Sequence, residues 1–392
     1  MNKIVFIAKT DINTDGRILN ELRILKEWNK NMEVDLIVFP DKKVTITFDD
    51  SIRLHQINNR LRHNKFLRLF TVLEFTYKAF RLLRKLKPSI IHAQDSAIIL
   101  PVLLYKLLYP KNLYLIYDDH EVPNENESYS KKIVDALENF LIRNSDAVIM
   151  ANKERMVYLK ERLQLTNSLS YFLNLPYFDY SPDIVTSSSL ESKLGELQQL
   201  KKAGTRFIIH QGPLKIERGR QKMAEFCKKL PEPYVILLLG GTETDFIKFK
   251  EEYGLQNDKF LFIGQVNYEV LPLFWKKSCA SIVMYLPTYT NNRLCAPNRM
   301  YLSYFLGLPI IVNKDNPVLH SFIIDYRAGA FIEDFMTNPD IEFFNQLNTL
   351  VIEDTSKESL LTKEKNKLID LYSGVIDKMN SAKQENWLTE RS

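Results

Sequence analysis

Four ionisable residues stand together at the end of an apolar run in the first half of the chain. The segment LYLIYDDHE places Asp118, Asp119, His120 and Glu121 directly after residues 113–117. Side chains alternate along a strand, so Asp118 and His120 should share one face. A histidine beside a carboxylate is typical of a binding or proton-transfer site, although a buried structural histidine is the alternative. Neighbouring carboxylates that point apart hold a metal ion poorly, so we expect no metal here.

Glycines and a cation gather in the second half of the chain, again after apolar runs. The glycines are Gly212, Gly240, Gly241 and Gly264. Tight turns without a ligand would explain them. If they share an edge with the helix predicted to start at Asn298, its N–H groups and positive end would attract a phosphate. Arg218, in the segment GPLKIERG, carries the fork that suits such an anion, and a solvated loop charge is its alternative.

The elements that must position these residues follow a repeated strand–helix order. Helical patterns separate the runs KIVFIA, EVDLIVF, SIIHAQ, LYLIYDDHE and DAVIMAN, and later RFIIHQG, YVILLLGG, FLFIGQV, ASIVMYLP and LPIIVN. Short strands alternating with helices indicate parallel α/β sheets, which bind ligands at the carboxyl edges of their strands. The sequence predicts two α/β domains, residues 1–180 and 205–360, joined by a linker at 181–204 and followed by a helical tail at 361–392.

Composition argues against several classes of protein. Three cysteines in 392 residues have no paired or metal-ligand spacing, so neither a disulfide framework nor a zinc site is expected. The N-terminal apolar run is too short for a signal peptide, and Lys106, Pro110 and Lys111 interrupt the run at 97–117, so no membrane span is predicted. No GxGxxG or Walker motif follows the first strand. These features predict a cytoplasmic protein without a bound cofactor.

Residues 60–87 are strongly basic. They contain nine lysines and arginines against a single acid, Glu74, interleaved with aliphatic and aromatic residues. This pattern predicts basic amphipathic helices, whose face suits an anionic membrane surface. An ordinary helix with an apolar core side and solvated basic side chains is the alternative. A nucleic-acid partner is not expected, because the net charge of +5 is mild and no binding module accompanies it.

Several of these segments, in this order, resemble the strand-end motifs of GT-B glycosyltransferases, particularly the retaining enzymes of family 4. The matching passages are IYDDHE, IIHQGPLKIERG, LFIGQV and APNRMYLSYFLGLPIIV, and the resemblance covers roughly residues 3–329. It implies an α/β GT-B fold of two Rossmann-like domains facing across a cleft. The N-terminal domain would bind the acceptor and the C-terminal domain the nucleotide-sugar. The C-terminal helix would cross back to the first domain.

The resemblance also implies an activity and its setting. Enzymes of this kind move a hexose from a nucleotide-sugar donor to a glycan or lipid-linked acceptor. They retain the anomeric configuration and need no metal. We therefore expect a peripheral enzyme of cell-surface polysaccharide synthesis at the inner face of the cell membrane.

Individual residues match family positions. His120 matches the histidine that contacts the donor sugar, and Arg218 matches the cation of the diphosphate. Gly16, in TDINTDGR, matches a loop that closes over the phosphates, although a plain turn with a helix cap explains it nearly as well. Val266 would lie against the nucleobase, with Gly264 allowing close approach. The remaining donor-site positions are Gly212, Pro297, Asn298 and Arg299.

The chain departs from the family pattern at three positions. Pro213 stands where a second arginine is usual, and we hypothesise that Arg299 or Arg293 supplies the missing charge. Leu294 and Leu302 stand where two glutamates are usual, the second of which holds ribose hydroxyls.

Several interpretations of the two leucines stay open. The donor contacts could be weaker or different, or they could be replaced by Asn292, Asn298 or Tyr301. Catalysis could also have been lost. The alternative function is therefore a non-catalytic GT-B scaffold or partner subunit that binds nucleotide, glycan or another transferase. A hydrolase or epimerase of the same fold is a more distant alternative.

Overall fold

The computed structural model describes residues 3–13, 15–39, 43–44, 46–48, 50–59, 68–109, 113–123, 129–176, 188–266 and 270–389. The chain divides into two compact units. The first comprises Met1–Asn174 and Thr362–Ser392, and the second Leu175–Leu361. Each unit contains one parallel sheet whose strands alternate with helices along the chain.

The strands of the first unit are β1 Ile4–Ala8, β2 Val34–Val38, β3 Ile52–Gln56, β4 Ile90–Gln94, β5 Tyr114–Asp119, β6 Ala147–Met150 and β7 Ser168–Tyr171. Its helices before the C-terminal segment are α1 Gly16–Trp28, α2 Arg68–Leu86, α3 Ile99–Leu108, α4 Tyr129–Arg143 and α5 Lys153–Leu163. Within the described residues the spatial order is β3-β2-β1-β4-β5-β6-β7. Every residue of β1, β2 and β4 is buried, as expected for strands covered on both faces.

The second unit repeats this arrangement. Its strands are β8 Arg206–Gln211, β9 Tyr234–Leu239, β10 Phe260–Gly264, β11 Ala280–Val283, β12 Ile310–Val312 and β13 Gly329–Phe331, in the order β10-β9-β8-β11-β12-β13. Its helices are α6 Ser188–Lys202, α7 Arg220–Lys229, α8 Glu243–Tyr253, α9 Leu271–Trp275, α10 Thr290–Arg293, α11 Asn298–Phe305, α12 Pro317–Tyr326, α13 Ile332–Thr337 and α14 Ile341–Thr349.

Both sheets reverse their strand order beside the first strand of the unit. In the first unit β1 lies between β2 and β4, with Phe6 paired to Leu36 on one side and His92 on the other. In the second unit β8 lies between β9 and β11. Such a reversal is a topological switch point, and ligands of open α/β sheets bind there beyond the carboxyl ends of the strands.

Part of the segment predicted as a linker is helical. Residues 181–187 lie outside the described residues, but Ser188–Lys202 form α6 of the second unit. Leu197 is fully buried in the same apolar cluster as Phe207 and Leu237. The leucines that face this cluster recur every three or four residues: Leu190, Leu194, Leu197 and Leu200. Serine and charged residues between them concealed this helical stripe in the composition of the segment.

The C-terminal segment forms the long helix α15, Asp354–Thr389, which confirms the predicted helix. From Thr362 onward it belongs to the first unit. Glu364 accepts a 2.9 Å hydrogen bond from the backbone N–H of Leu173, and the hydroxyl of Tyr372 lies 2.7 Å from Nδ1 of His92. Among the described helices, none combines the length and apolar character needed to cross a bilayer.

Candidate functional site

The strands β8, β9 and β10 of the second unit end in closely packed glycine turns. Gly212 follows β8 with φ of +113°, and its N–H donates to the carbonyl of Leu239 at 2.7 Å. Gly240, after β9, donates in the same way to Gly264 at 2.7 Å. A Cβ atom on Gly240 would lie 3.4 Å from Cα of Gly212. The positive φ values of these glycines are strained for residues with a side chain, and without a Cβ atom a ligand could approach the backbone at the sheet edge.

Two arginines converge on the turn at Gly212. A Cβ atom on this glycine would lie 3.0 Å from Nη1 of Arg299 and 3.4 Å from Nη1 of Arg218. Both guanidinium groups lie over the ring of Tyr285, at 5.2 Å for Arg299 and 4.4 Å for Arg218. Across the described part of the chain, neither guanidinium forms an ion pair with a carboxylate. The turn therefore presents two positive charges that are not neutralised by any carboxylate of the described residues.

The two arginines are held differently. Arg299 is only 6% exposed and donates to the backbone carbonyls of Gln211 and, at 3.1 Å, Met284. These carbonyls lie at the ends of β8 and β11, so Arg299 bridges the topological switch point of the second sheet. Arg218 ends a short 3₁₀ turn and is half-buried. Among the described residues its side chain forms no hydrogen bond, which leaves its donors available to a ligand.

Electrostatics at this edge favour an incoming anion. Burial, together with the neighbouring charge of Arg218, lowers the pKa of Arg299 to about 10 despite the opposing effect of Tyr285. His210, on the adjacent strand β8, is fully buried, and its pKa lies well below the usual value because of burial and the charges of Arg299 and Arg218. His210 is therefore neutral. A bound phosphate would relieve the repulsion between the two arginines, and the arginine fork suits phosphate oxygens.

The remaining donor-site residues from the sequence prediction lie around this turn or on elements near it. Pro297 is the buried N-cap of α11, and Asn298 is exposed at the first position of that helix. Gly264 ends β10, and the half-buried Val266 packs against the apolar cluster that contains Leu302. Of the two arginines considered as a replacement for the missing cation, only Arg299 lies within 4 Å of the position of a Gly212 Cβ.

The two leucines at the expected glutamate positions are core residues. Leu302 is 3% exposed and belongs to the same cluster as Trp275 and Leu308. Leu294 is also buried. Among these apolar groups a carboxylate would be desolvated without a partner, so the surrounding packing favours leucine.

A buried ion pair anchors the candidate residues of the first unit. Arg17, on α1, donates to Asp118 through Nε at 2.7 Å and through Nη2 at 2.6 Å, and to the carbonyl of Phe172 at 2.6 Å. Both side chains are almost completely buried. The sequence prediction did not include Arg17. Its i,i+4 spacing to Glu21, within a helix whose apolar residues face the core, was an available signal.

His120 lies next to this pair, beyond the carboxyl end of β5. Its Nε2 is 3.3 Å from Oδ2 of Asp118, and its Nδ1 is 3.2 Å from Oδ1 of Asp95. Asp118 and His120 thus share one face, as strand alternation requires. Asp119 is buried with its pKa well above the usual value because of burial and the nearby charge of Glu138.

The side chains of Glu21, His92 and Asp118 bring possible metal-ligand atoms within 4.8 Å of one another. The arrangement does not suit a metal ion, because the guanidinium of Arg17 already binds both oxygens of Asp118. Burial and the charge of Asp118 also raise the pKa of Glu21 well above its usual value, which favours a neutral carboxyl group. The cluster is better described as a buried network of hydrogen bonds.

Gly16 is the first residue of α1 rather than part of a left-handed turn. The preceding Asp15 caps the helix, since its Oδ1 accepts from the N–H of Ile18 at 3.1 Å and its Oδ2 accepts from the hydroxyl of Thr10 at 2.6 Å. The helix-cap interpretation of TDINTDGR therefore explains the local structure.

A scan of protein-family models and a search of curated proteins both find no match. Solved structures do match along the whole chain. A glycosyltransferase from Rickettsia africae aligns with a TM-score of 0.67 and 14% identity, covering 96% of this chain and 98% of its own. HepE from Anabaena, solved in complex with UDP and glucose, aligns with a TM-score of 0.64 and 15% identity over 97% and 100%.

Sucrose-phosphate synthase from Thermosynechococcus elongatus aligns with a TM-score of 0.61 and 14% identity over 99% of this chain and 100% of its own. At such low identity these likenesses establish the fold. The chain has the α/β GT-B fold that the sequence motifs predicted.

Proposed function

We propose that the protein is a glycosyltransferase that moves a hexose from a nucleoside diphosphate sugar to a glycan or lipid-linked acceptor, with retention of anomeric configuration. One observation carries the proposal: Arg218 and Arg299 converge on Gly212 at the switch point of the second sheet, and within the described residues neither has a carboxylate partner. The GT-B fold supports it, and so does the UDP bound to HepE, a protein of similar structure.

The chemistry that these residues would perform is charge stabilisation. When the sugar leaves the donor, negative charge develops on the diphosphate. Fixed positive groups that already point at this charge lower the barrier without reorganising. Arg299 is immobilised by two backbone carbonyls, whereas the side chain of Arg218 forms no hydrogen bond with any described residue and can donate to the phosphate oxygens. We propose that these two cations take the role that a metal ion plays in other transferases, and that His120 contacts the transferred sugar.

A non-catalytic scaffold that binds nucleotide or glycan remains the second candidate. It is favoured by Leu302, a core residue at a position where a carboxylate would hold ribose hydroxyls. A scaffold would bind a nucleoside diphosphate without consuming a nucleotide-sugar, so release of free nucleoside diphosphate from the donor in the presence of acceptor distinguishes the two.

Nucleoside diphosphates should stabilise the folded protein. A ligand at a hundred times its dissociation constant adds about 2.7 kcal/mol to the free energy of unfolding. For a unit the size of the second one, each kcal/mol raises the melting temperature by about 2–4 °C. We expect at least one of UDP, GDP, ADP and dTDP, or their sugars, to produce such a rise in thermal-shift measurements. If none moves the melting temperature of folded protein, the donor-site proposal is wrong.

We also propose that the first unit associates with an anionic membrane surface. Residues 60–67 of the basic segment lie outside the described residues, but 68–86 form α2. Helix α2 packs against α3 through Phe80 and Tyr105, whose ring centres are 6.4 Å apart. Both helices expose apolar side chains: Leu69, Phe70, Leu73 and Tyr77 on α2, and Leu100, Leu104, Leu107 and Leu108 on α3. The last turns of α2 expose the basic side chains of Arg81, Arg84 and Lys85. Apolar and basic groups therefore lie close together, as on interfacial helices.

Reversing two of these charges should weaken membrane binding. Each basic residue near an anionic surface contributes about 1 kcal/mol, so Arg84→Glu with Lys85→Glu should reduce partitioning to phosphatidylserine-containing liposomes at least about 30-fold in co-sedimentation. The matched control is Lys201→Glu with Lys202→Glu, two exposed residues of α6 in the second unit. The membrane proposal is wrong if both variants bind equally, or if binding does not depend on the anionic lipid content.

A further inference from the structure

Asp95 occupies a backbone conformation that belongs to glycine. It follows β4 with φ of 63° and ψ of 165°, a region that residues with a Cβ atom avoid. Its N–H donates to the carbonyl of Asp118 at 3.1 Å, which ties the residue to the end of the neighbouring strand. Strain of this kind persists only where the surrounding structure imposes it, and it is frequent at functional sites.

The carboxylate of Asp95 contacts His120. Its Oδ1 lies 3.2 Å from Nδ1 of the ring, while Oδ2 of Asp118 lies 3.3 Å from Nε2. A neutral imidazole has one donor nitrogen and one acceptor nitrogen, so it can satisfy only one of two carboxylates. Both contacts are favourable only when both ring nitrogens carry a proton.

The other charged groups around the His120 ring do not reverse the preference for a protonated imidazole. Arg17 is bound to Asp118, and its positive charge opposes protonation of His120. Arg155 donates to the backbone carbonyl of His120. Burial lowers the pKa of His120, but the charges of Asp95 and Asp118 outweigh burial and Arg17, and the net pKa is raised. The neighbouring His92 is fully buried, and burial lowers its pKa, so it adds no charge.

We propose that Asp95 is a positioning residue that, together with Asp118, clamps His120 as an imidazolium, so that His120 acts as a fixed positive charge and hydrogen-bond donor rather than as a base. The contact between His120 and a substrate rests on the proposed function, whereas the protonation of His120 does not. Asp118 is completely buried, whereas the Asp95 side chain is 45% exposed. A ligand oxygen would therefore replace Asp95 at Nδ1 and leave the contact with Asp118 intact.

The test is the titration of His120 in the full chain, followed by the Cε1–H NMR signals of its six histidines. The variant His120→Gln assigns the signal. In Asp95→Asn, which keeps the size of the side chain and removes its charge, we expect the midpoint of the His120 titration to fall by about one pH unit. Glu33→Gln, which removes an exposed charge from the same unit, should leave that midpoint unchanged. An unchanged midpoint in Asp95→Asn would overturn the proposal.

Asp95→Gly provides the second variant. It relieves the backbone strain, so its melting temperature should rise, while the midpoint of the His120 titration falls as in Asp95→Asn. A purely structural role for Asp95 predicts a lower melting temperature and an unchanged midpoint. These readouts need no turnover. If the titration is as predicted but the protein binds no nucleotide, the proposed function is wrong, and the proposal that Asp95 and Asp118 hold His120 as an imidazolium is still supported.

Discussion

Replacing Arg218 with alanine should reduce turnover of the nucleotide-sugar by about 10² to 10³-fold while changing the melting temperature little. The guanidinium is half-buried, lies 4.4 Å from the ring centre of Tyr285, and within the described residues has no hydrogen bond to lose. Loss of one preorganised donor to a developing negative charge costs about 2.7–4 kcal/mol in the barrier. Steady-state kinetics and thermal denaturation of the same preparation measure both quantities.

The corresponding change at Arg299 should affect both turnover and stability. Arg299→Ala would leave the carbonyls of Gln211 and Met284 without their donor in a buried place, at a cost of about 1–3 kcal/mol for each unsatisfied group. Arg299→Lys keeps a charge but cannot reach both carbonyls with one planar fork. We therefore expect Arg299→Lys to fall between the wild type and Arg299→Ala in both measurements.

Lys215→Ala is the matched control, because Lys215 is an exposed cation of the same loop. It should lower turnover by less than about fivefold, since a screened surface charge is worth at most about 1 kcal/mol and has no fixed geometry. If Arg218→Ala and Lys215→Ala lowered turnover equally, the two-arginine site would not be the diphosphate site. If Arg218→Ala lost turnover and stability together, Arg218 would be structural.

Most strands of the two sheets could be predicted from the sequence because they are largely buried, whereas β3, β7 and β13, whose residues are mostly exposed or half-buried, were not predicted. Runs such as KIVFIA and YVILLLGG have no polar face, which is the pattern of parallel strands covered on both sides. Helix α6 was concealed for the opposite reason. Only its leucine stripe is apolar, and serine, lysine and glutamate between the leucines gave the segment the composition of a linker.

The site in the second unit could be predicted only in part. The glycines after β8, β9 and β10 carry a local signal, since a strand ending in glycine predicts a tight turn. No local sequence signal predicts that Arg218 lies close to Arg299. Their proximity depends on the switch point, where Arg299 of α11 donates to the carbonyls of Gln211 and Met284 at the ends of two different strands, and Gln211 is 88 residues away in the chain. Tyr285 was missed for the same reason.

In the first unit, alternation along β5 correctly placed Asp118 and His120 on one face. The partners of these residues lie on other elements, Arg17 at a separation of 101 residues on α1 and Asp95 after β4. Long-range pairing of charged groups leaves no periodic pattern in the sequence. A buried arginine or an aspartate in a glycine conformation becomes visible only with the backbone in place.

Breaking the Arg17–Asp118 pair should cause the largest loss of stability. Both groups are buried, so removing one leaves the other charged and desolvated, which costs about 3–5 kcal/mol. We expect Arg17→Met and Asp118→Asn each to lower the free energy of unfolding by about this amount in urea denaturation. Glu33→Gln, which breaks an exposed ion pair with Arg53 in the same unit, should cost less than about 1 kcal/mol.

The double variant Arg17→Met with Asp118→Leu tests the cause. It is compared with Arg17→Met and with Asp118→Leu alone. If the cost of each single change is an unpaired buried charge, replacing both groups with apolar side chains should restore part of the stability. Additive losses would instead show that each side chain contributes separately, for example Arg17 through its bond to the carbonyl of Phe172.

The pH dependence of stability provides a second test of the same pair. Burial alone would raise the pKa of Asp118, but Arg17 and the neighbouring histidines lower it well below its usual range. A carboxyl group with a depressed pKa in the folded state stabilises the protein above its unfolded pKa of about 4 and loses this contribution as the pH falls toward the folded value. The gap in unfolding free energy between the wild type and Asp118→Asn should therefore shrink as the pH falls below about 4. A gap that stayed constant down to about pH 3 would mean that the pKa of Asp118 does not differ between the folded and unfolded protein, so that Arg17 does not depress it. A gap that grew as the pH fell would mean that Asp118 is un-ionised in the folded protein, and the imidazolium inferred for His120 would lose the buried negative charge on which it depends.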